Sequence, residues 1–238
     1  MKVASVNLDR RSKLPLETRL AHNKLEVSMH KKCIQLSQPD EEMYNAFAEL
    51  KKNPIFKEPQ ESIQVIPGGV VGDKHFEPNF IQQDGDLFYE VSFYNQISIL
   101  GKEKYNELNK TYNKNIPAGS FGENIQTEGL YSIESLSQGT ILQFGDNAQI
   151  KITHLRTFCY KFANVIFSTV DEYFHWKKTS GGVITRLGVL GQVVAEGSIY
   201  PNDQISIVYT PPVLNRLGYI QRPHRVASKT PCDPPTST

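Results

Sequence analysis

The sequence is poor in cysteine. Its three thiols, Cys33, Cys159 and Cys232, are odd in number, far apart and never in a CxxC pair. That pattern excludes a disulfide framework and fits a reducing compartment. Histidine is scarce as well: six residues with no HxxxH or comparable cluster offer no closed set of about four ligands for structural zinc. No apolar run approaches the roughly 18 residues that a membrane helix needs. An excess of one charge is missing too, since Lys+Arg 26 stand against Asp+Glu 25. Near-balance gives no support for non-specific binding to nucleic acid or to an anionic membrane. The expectation is a cytoplasmic chain.

What is present is enough apolar residue, 39% of 238, for one good core in a chain of mean hydropathy −0.41. Met1 to Leu8 alternates and reads as a first strand. A polar, charge-mixed stretch follows to about Ser62 and holds one helical pattern: Ser37 and Asp40 are candidate caps, and Met43, Phe47 and Leu50 recur at helical spacing. Pro54 closes it by disfavouring helical geometry in Asn53.

From Ser62 strand signals dominate. SIQVIPGGVVGD reads as a strand ending in a glycine-rich turn, and LFYEVSFYNQISIL (87–100) is aromatic and β-branched. GKEKYNELNK (101–110) then reads as a short helix. TILQF (140–144) and 149–155 form a hairpin through Gly145-Asp146-Asn147. In the second strand Ile150 and Ile152 share one face, Lys151 and Thr153 the other. A helix over Val170–Lys178 ends at Ser180-Gly181-Gly182. Strands over 188–197 and 204–210 follow, with Ile205, Ile207 and Tyr209 on one face of the latter. Short strands with glycine-rich turns predict a mainly β fold, barrel- or sandwich-like, with a few short peripheral helices. The reading is one domain over 1–215, with 9–61 as an insertion wrapped outside the body. The last eighteen residues hold four prolines and little apolar content, so 216–238 reads as a disordered tail.

Three ordered segments carry a family likeness. The first is Gly72-Asp73-Lys74-His75. The second is Pro117-Ala118-Gly119-Ser120-Phe121-Gly122-Glu123-Asn124-Ile125, followed by Thr127-Glu128-Gly129-Leu130 and Gly139-Thr140. The third is His154-Leu155-Arg156-Thr157-Phe158-Cys159-Tyr160-Lys161, with Arg186-Leu187-Gly188-Val189-Leu190 and Pro201-Asn202-Asp203 downstream. Together they resemble the MOSC domain, the β-rich module at the C-terminus of molybdenum-cofactor sulfurases, and its small stand-alone YiiM-type members. The resemblance covers about 62–210. It implies a β-barrel and, in several members, a molybdenum-pterin cofactor held through a cysteine thiolate; other members carry sulfur or reduce N-hydroxylated substrates. The chain departs from the pattern after His75, where Phe76-Glu77-Pro78-Asn79 replaces a His-Gly-Gly turn.

Cys159 is the candidate metal ligand and reactive residue. A thiolate suits molybdenum or persulfide chemistry, and positive neighbours such as Arg156 and Lys161 would favour that form. The residues alone also allow a buried core thiol. In a straight strand Lys161 shares the Cys159 face and Arg156 does not, so a bend near Thr157 is needed for both to act. Phe121, Gly122, Glu123 and Asn124 form a turn whose amide could read a heterocycle edge; an ordinary loop entering a strand is the alternative. Asp73 and His75 are acid–base candidates or solvated turn residues. With Arg156 and Lys161, Arg186 could clamp a phosphate bidentately, or serve in a surface ion pair. The glycines match neither GxGxxG nor a P-loop, and nothing marks a flavin or iron–sulfur site. Two functions follow from the resemblance: a molybdenum-dependent oxidoreductase or sulfur carrier using Cys159, or a module that binds and delivers the cofactor without turnover. A cysteine hydrolase pairing Cys159 with His75 or His154 is a weaker third, because spacing alone establishes no such pair.

Overall fold

The computed structural model describes residues 1–9, 36, 38–52, 56–73, 76, 80–83, 86–89, 97–130, 132–158, 162–179, 186–212 and 217. Cys159, Lys161 and His75 therefore lie outside the described residues, as do most of the insertion, the end of the helix at 180–182 and the tail from 218 onward.

Helix α1 (Glu41–Lys52) begins where Asp40 accepts the Met43 N–H on Oδ1 at 2.9 Å, an N-cap bond. Glu41 and Glu42 in its first turn and Lys51 and Lys52 in its last complement the helix dipole. Its buried face is Met43, Ala46, Phe47 and Leu50. Helix α2 (Lys102–Tyr112) stops at Asn113, which takes φ 50 and donates its N–H to Asn109. A single turn, α3 (Ala163–Ile166), precedes α4 (Val170–Thr179). Thr169 caps α4 by accepting the Glu172 N–H at 3.1 Å, while Glu172 accepts the Ser168 N–H in return.

The strands are β1 (Lys2–Asp9), β2 (Lys57–Gln60), β3 (Ile63–Ile66), β4 (Gly69–Val70), β5 (Phe80–Gln83), β6 (Asp86–Tyr89), β7 (Ile97–Gly101), β8 (Ile125–Glu128), β9 (Ile141–Phe144), β10 (Ala148–Leu155), β11 (Val189–Ala195), β12 (Gly197–Ile199) and β13 (Ile205–Tyr209). Eight make the main sheet in the order β13-β9-β10-β11-β7-β8-β1-β2, antiparallel except for the parallel pair β7–β8. Small ribbons β12-β3-β4 and β5-β6 accompany it.

The fold is mainly β with few short helices, but among the described residues no sheet closes into the expected barrel. The reason lies at β1. Its second edge is occupied by β2 from Val6 to Asp9, which leaves only its first residues for β13. There the contact is one isolated bridge, Lys2 to Gln204, with bonds from Val3 N–H to Asp203 and from Ile205 N–H to Met1. A barrel needs a continuous ladder at that seam. The described part of the insertion also differs from its expected place outside the body: β2 extends the main sheet, and α1 is packed into a core.

Among the described residues two buried clusters stabilise the fold. Ile99, Ile125, Leu142, Phe144, Ile150 and Ile152 are central to the sheet core. The second cluster joins α1, α3 and α4 through Phe47, Ile166, Val170 and Phe174, and reaches Tyr105, Phe121 and Phe162. The expected alternation of β10 holds only to Ile152. A bulge between Ile152 and His154 re-phases the strand, so Thr153 and Leu155 are buried beyond it. In β13 only Ile205 is buried; Ile207 and Tyr209 are 44% and 48% exposed, because no described layer covers that stretch of the sheet face.

Candidate functional site

The turn from Pro117 to Asn124 lies where the two cores meet: Phe121 belongs to the helical cluster and Ile125 to the sheet cluster. Two left-handed glycines shape it, Gly119 at φ +85 and Gly122 at φ +68. Gly119 is pressed against β2, where a Cβ would stand 1.9 Å from the Lys57 carbonyl oxygen. Lys57 N–H donates to Gly119 at 3.0 Å, and Gly122 N–H donates to the same carbonyl at 2.8 Å.

Glu123, part of the turn read as a cofactor contact, is wholly buried. Its Oε1 accepts the Tyr105 hydroxyl and the Gly119 N–H, both at 2.6 Å, while Oε2 has no hydrogen-bond partner among the described residues. Burial pushes its carboxyl above the usual range, and the Tyr105 and Gly119 bonds only partly oppose that. The same burial, reinforced by Glu123, raises the Tyr105 phenol.

Asn124 is 4% exposed. Its Oδ1 accepts the Ser98 N–H and hydroxyl, each at 3.1 Å, and its Nδ2 donates to Asp73 Oδ2 at 3.1 Å. Asp73 is not a solvated turn residue. It takes the Asp9 N–H at 3.2 Å and pairs with the Lys57 ammonium at 2.8 Å, the two side chains being 2% and 3% exposed. Burial lowers the Lys57 pKa, and Asp73 opposes the shift.

Arg156 follows the bulged end of β10. Its guanidinium donates to the Phe121 carbonyl and stacks on the Phe162 ring with 5.2 Å to the centroid. A Cβ at Gly122 would meet Phe162 at 3.2 Å and Arg156 at 3.6 Å. Arg156 N–H donates to Gly188, and Leu187 N–H donates back to Arg156, each at 2.9 Å. This backbone exchange brings the segment carrying Arg186 beside Arg156, although the Arg186 side chain is exposed.

The structure thus joins Asp73, Phe121, Gly122, Glu123, Asn124 and Arg156 in one network, with only the backbone near Arg186 reaching it. Arg156 and Phe162, each three residues from Cys159, both approach the Gly122 turn. Among the described residues no group of three His, Cys, Asp or Glu side chains could hold a metal ion. Lys57, Tyr105, Ser98 and Phe162 were not among the sequence candidates. Tyr105 has a legible signal, three positions before Leu108 on the buried face of α2. Lys57 has none, because KEPQ reads as a solvated stretch.

The Glu123 carboxyl makes a test in pH. A carboxyl whose folded pKa is raised contributes stability that is full below the unfolded value, 4.5, and is lost as pH rises through the folded value. Glu123→Gln is expected to fold, with the amide oxygen accepting from Tyr105 and Gly119. It should also remove this pH dependence, so its melting-temperature advantage over the parent grows from pH 4.5 upward. A gap that stays constant from pH 4 to 8 would refute the assignment.

A family model described as MOSC domain matches residues 72–206. No curated protein matches. Among solved structures, YuaD of Bacillus subtilis is 21% identical with a TM-score of 0.49, over 63% of this chain and 86% of that one. YiiM of Escherichia coli is 21% identical with a TM-score of 0.46, over 67% and 68%. YiiM of Geobacillus stearothermophilus is 18% identical with a TM-score of 0.39, over 63% and 74%. The family match spans more than half of the chain and includes the turn, Arg156 and the Gly188 strand, so this chain belongs to the MOSC domain family, which is generally linked to the molybdenum cofactor.

Proposed function

We propose that this protein binds a molybdenum-pterin cofactor with the Cys159 thiolate as metal ligand, and acts as a sulfur carrier or as a reductase of N-hydroxylated compounds. The observation that supports this most is the bond from Arg156 to the Phe121 carbonyl. It ties together two family-like segments separated by 35 positions and brings the stretch leading to Cys159 against the glycine turn. The donor set fits such a group. A soft thiolate suits molybdenum, and Arg156, Lys161 and Arg186 supply cations for an anionic phosphate. When bound, the cofactor supplies a metal that can change oxidation state.

The protein's own part is positional. Asp73, Glu123 and Asn124 hold the turn from inside, and Arg156 keeps its charge beside it. His75, two residues after Asp73, is the acid–base group of this reading. Reduction of an N-hydroxylamine breaks the N–O bond with two electrons and two protons and releases water, so it needs an external electron donor. A second reading, binding and delivery of the cofactor without turnover, is favoured by one observation: the carboxyl groups of Asp73 and Glu123 are buried in internal bonds.

Protein made in a host that synthesises the cofactor is expected to carry molybdenum and pterin. Cys159→Ser should lose both while keeping its melting temperature, since a hydroxyl is a poor soft-metal ligand. Cys159 should also alkylate faster than an ordinary thiol near neutral pH. A core cysteine gives the opposite result: slow alkylation and a Ser variant destabilised by about 1–3 kcal/mol. Loaded protein with a reduced viologen dye and an N-hydroxylated substrate tests the reductase: sustained dye oxidation supports it, and its absence counts against it in favour of sulfur carriage or delivery.

A further inference from the structure

We propose that Lys57, on β2 and outside the family-matched span, is the positioning residue of the candidate site. It holds both ends of the Gly119–Asn124 turn. At one end its main-chain N–H donates to Gly119 at 3.0 Å, and the Gly119 N–H donates to Glu123 at 2.6 Å. At the other end its ammonium lies 2.8 Å from Asp73 Oδ2, the same oxygen that accepts the Asn124 amide at 3.1 Å. Asn124 is fixed in turn to Ser98 on β7.

A buried ion pair adds little net stability over apolar side chains of the same shape. What this pair supplies is a fixed place for one oxygen, on which the Asn124 amide, the Asp9 N–H and the Lys57 ammonium converge. The middle of the same turn carries the Phe121 carbonyl that receives Arg156. Neutralising Lys57 releases the Asn124 end of the turn and, through it, the Arg156 contact. In its effect on cofactor the role rests on the cofactor reading above; in its effect on the turn it does not.

Lys57→Met removes the charge at nearly constant length, and Lys57→Gln keeps a donor toward Asp73 should the Met variant fail to fold. Nuclear magnetic resonance at a temperature well below melting should show displaced signals from the Asn124 side-chain amide and from the Phe121 and Gly122 main-chain amides. Molybdenum retained by protein from a cofactor-synthesising host should fall by about 10- to 100-fold. A purely structural lysine predicts a lower melting temperature with those signals unmoved and retention unchanged, and that result overturns the proposal. Wild-type protein that carries no molybdenum defeats the cofactor reading alone. The resonance shifts, which need no cofactor, then decide the role of Lys57.

Discussion

Gly119→Ala is expected to remove a large fraction of the protein's stability. The new Cβ would stand 1.9 Å from the Lys57 carbonyl oxygen and 2.9 Å from its carbon, and the obstacle is backbone paired in a sheet, so it cannot swing aside. Left-handed geometry at φ +85 adds about 1–2 kcal/mol for a residue with a Cβ, and forced overpacking adds about 1–3 kcal/mol or more. Against a total of about 5–15 kcal/mol the sum is a large fraction. Gly72→Ala is the matched control. It has a similar φ of +80 but nothing within 4 Å of the added carbon, so only the conformational cost should appear. Urea melts of the two variants should differ clearly; equal midpoints would mean that β2 does not press on the turn.

The next largest effect is expected from Lys57→Met measured as stability. Removing one partner of a buried ion pair leaves the other charge uncompensated, at a cost of about 3–5 kcal/mol. For a chain of this size that lowers the melting temperature by roughly 6–20 °C. Adding Asp73→Leu should recover much of the loss, because both charges are then gone. It should not recover all, since the Asn124 amide keeps no acceptor at that position, a penalty of about 1–3 kcal/mol. A double variant no more stable than the single one would show that Asp73 does not depend on Lys57.

Much of the secondary structure was legible because periodicity reports burial directly. Met43, Phe47 and Leu50 mark α1, and Ile150 and Ile152 mark β10. The bulge at Thr153 escaped because it is set by pairing with β11, which no local pattern encodes. The exposed Ile207 and Tyr209 escaped for a related reason: alternation says which side chains share a face, not whether another layer covers it. The motif turn was visible as a unit, but the direction of its side chains was not. Glu123 and Asn124 read as groups offered to a ligand, whereas Tyr105, Ser98 and Asp73 draw them inward. Lys57 was the hardest to see, since a lysine in a short polar stretch is ordinarily solvated and only its contact with Asp73 says otherwise.

The place of β1 in the sheet sets an order on synthesis. It precedes both of its neighbours in the chain, β2 from Lys57 and β8 ending at Glu128. At roughly 5–20 residues per second the ribosome takes on the order of ten seconds to reach β8. Through that interval Val3, wholly buried in the finished protein, lacks its partner Thr127, whereas Val6 can pair with Gln60 as soon as β2 is made. β1 therefore completes its pairing only after β8 has been made.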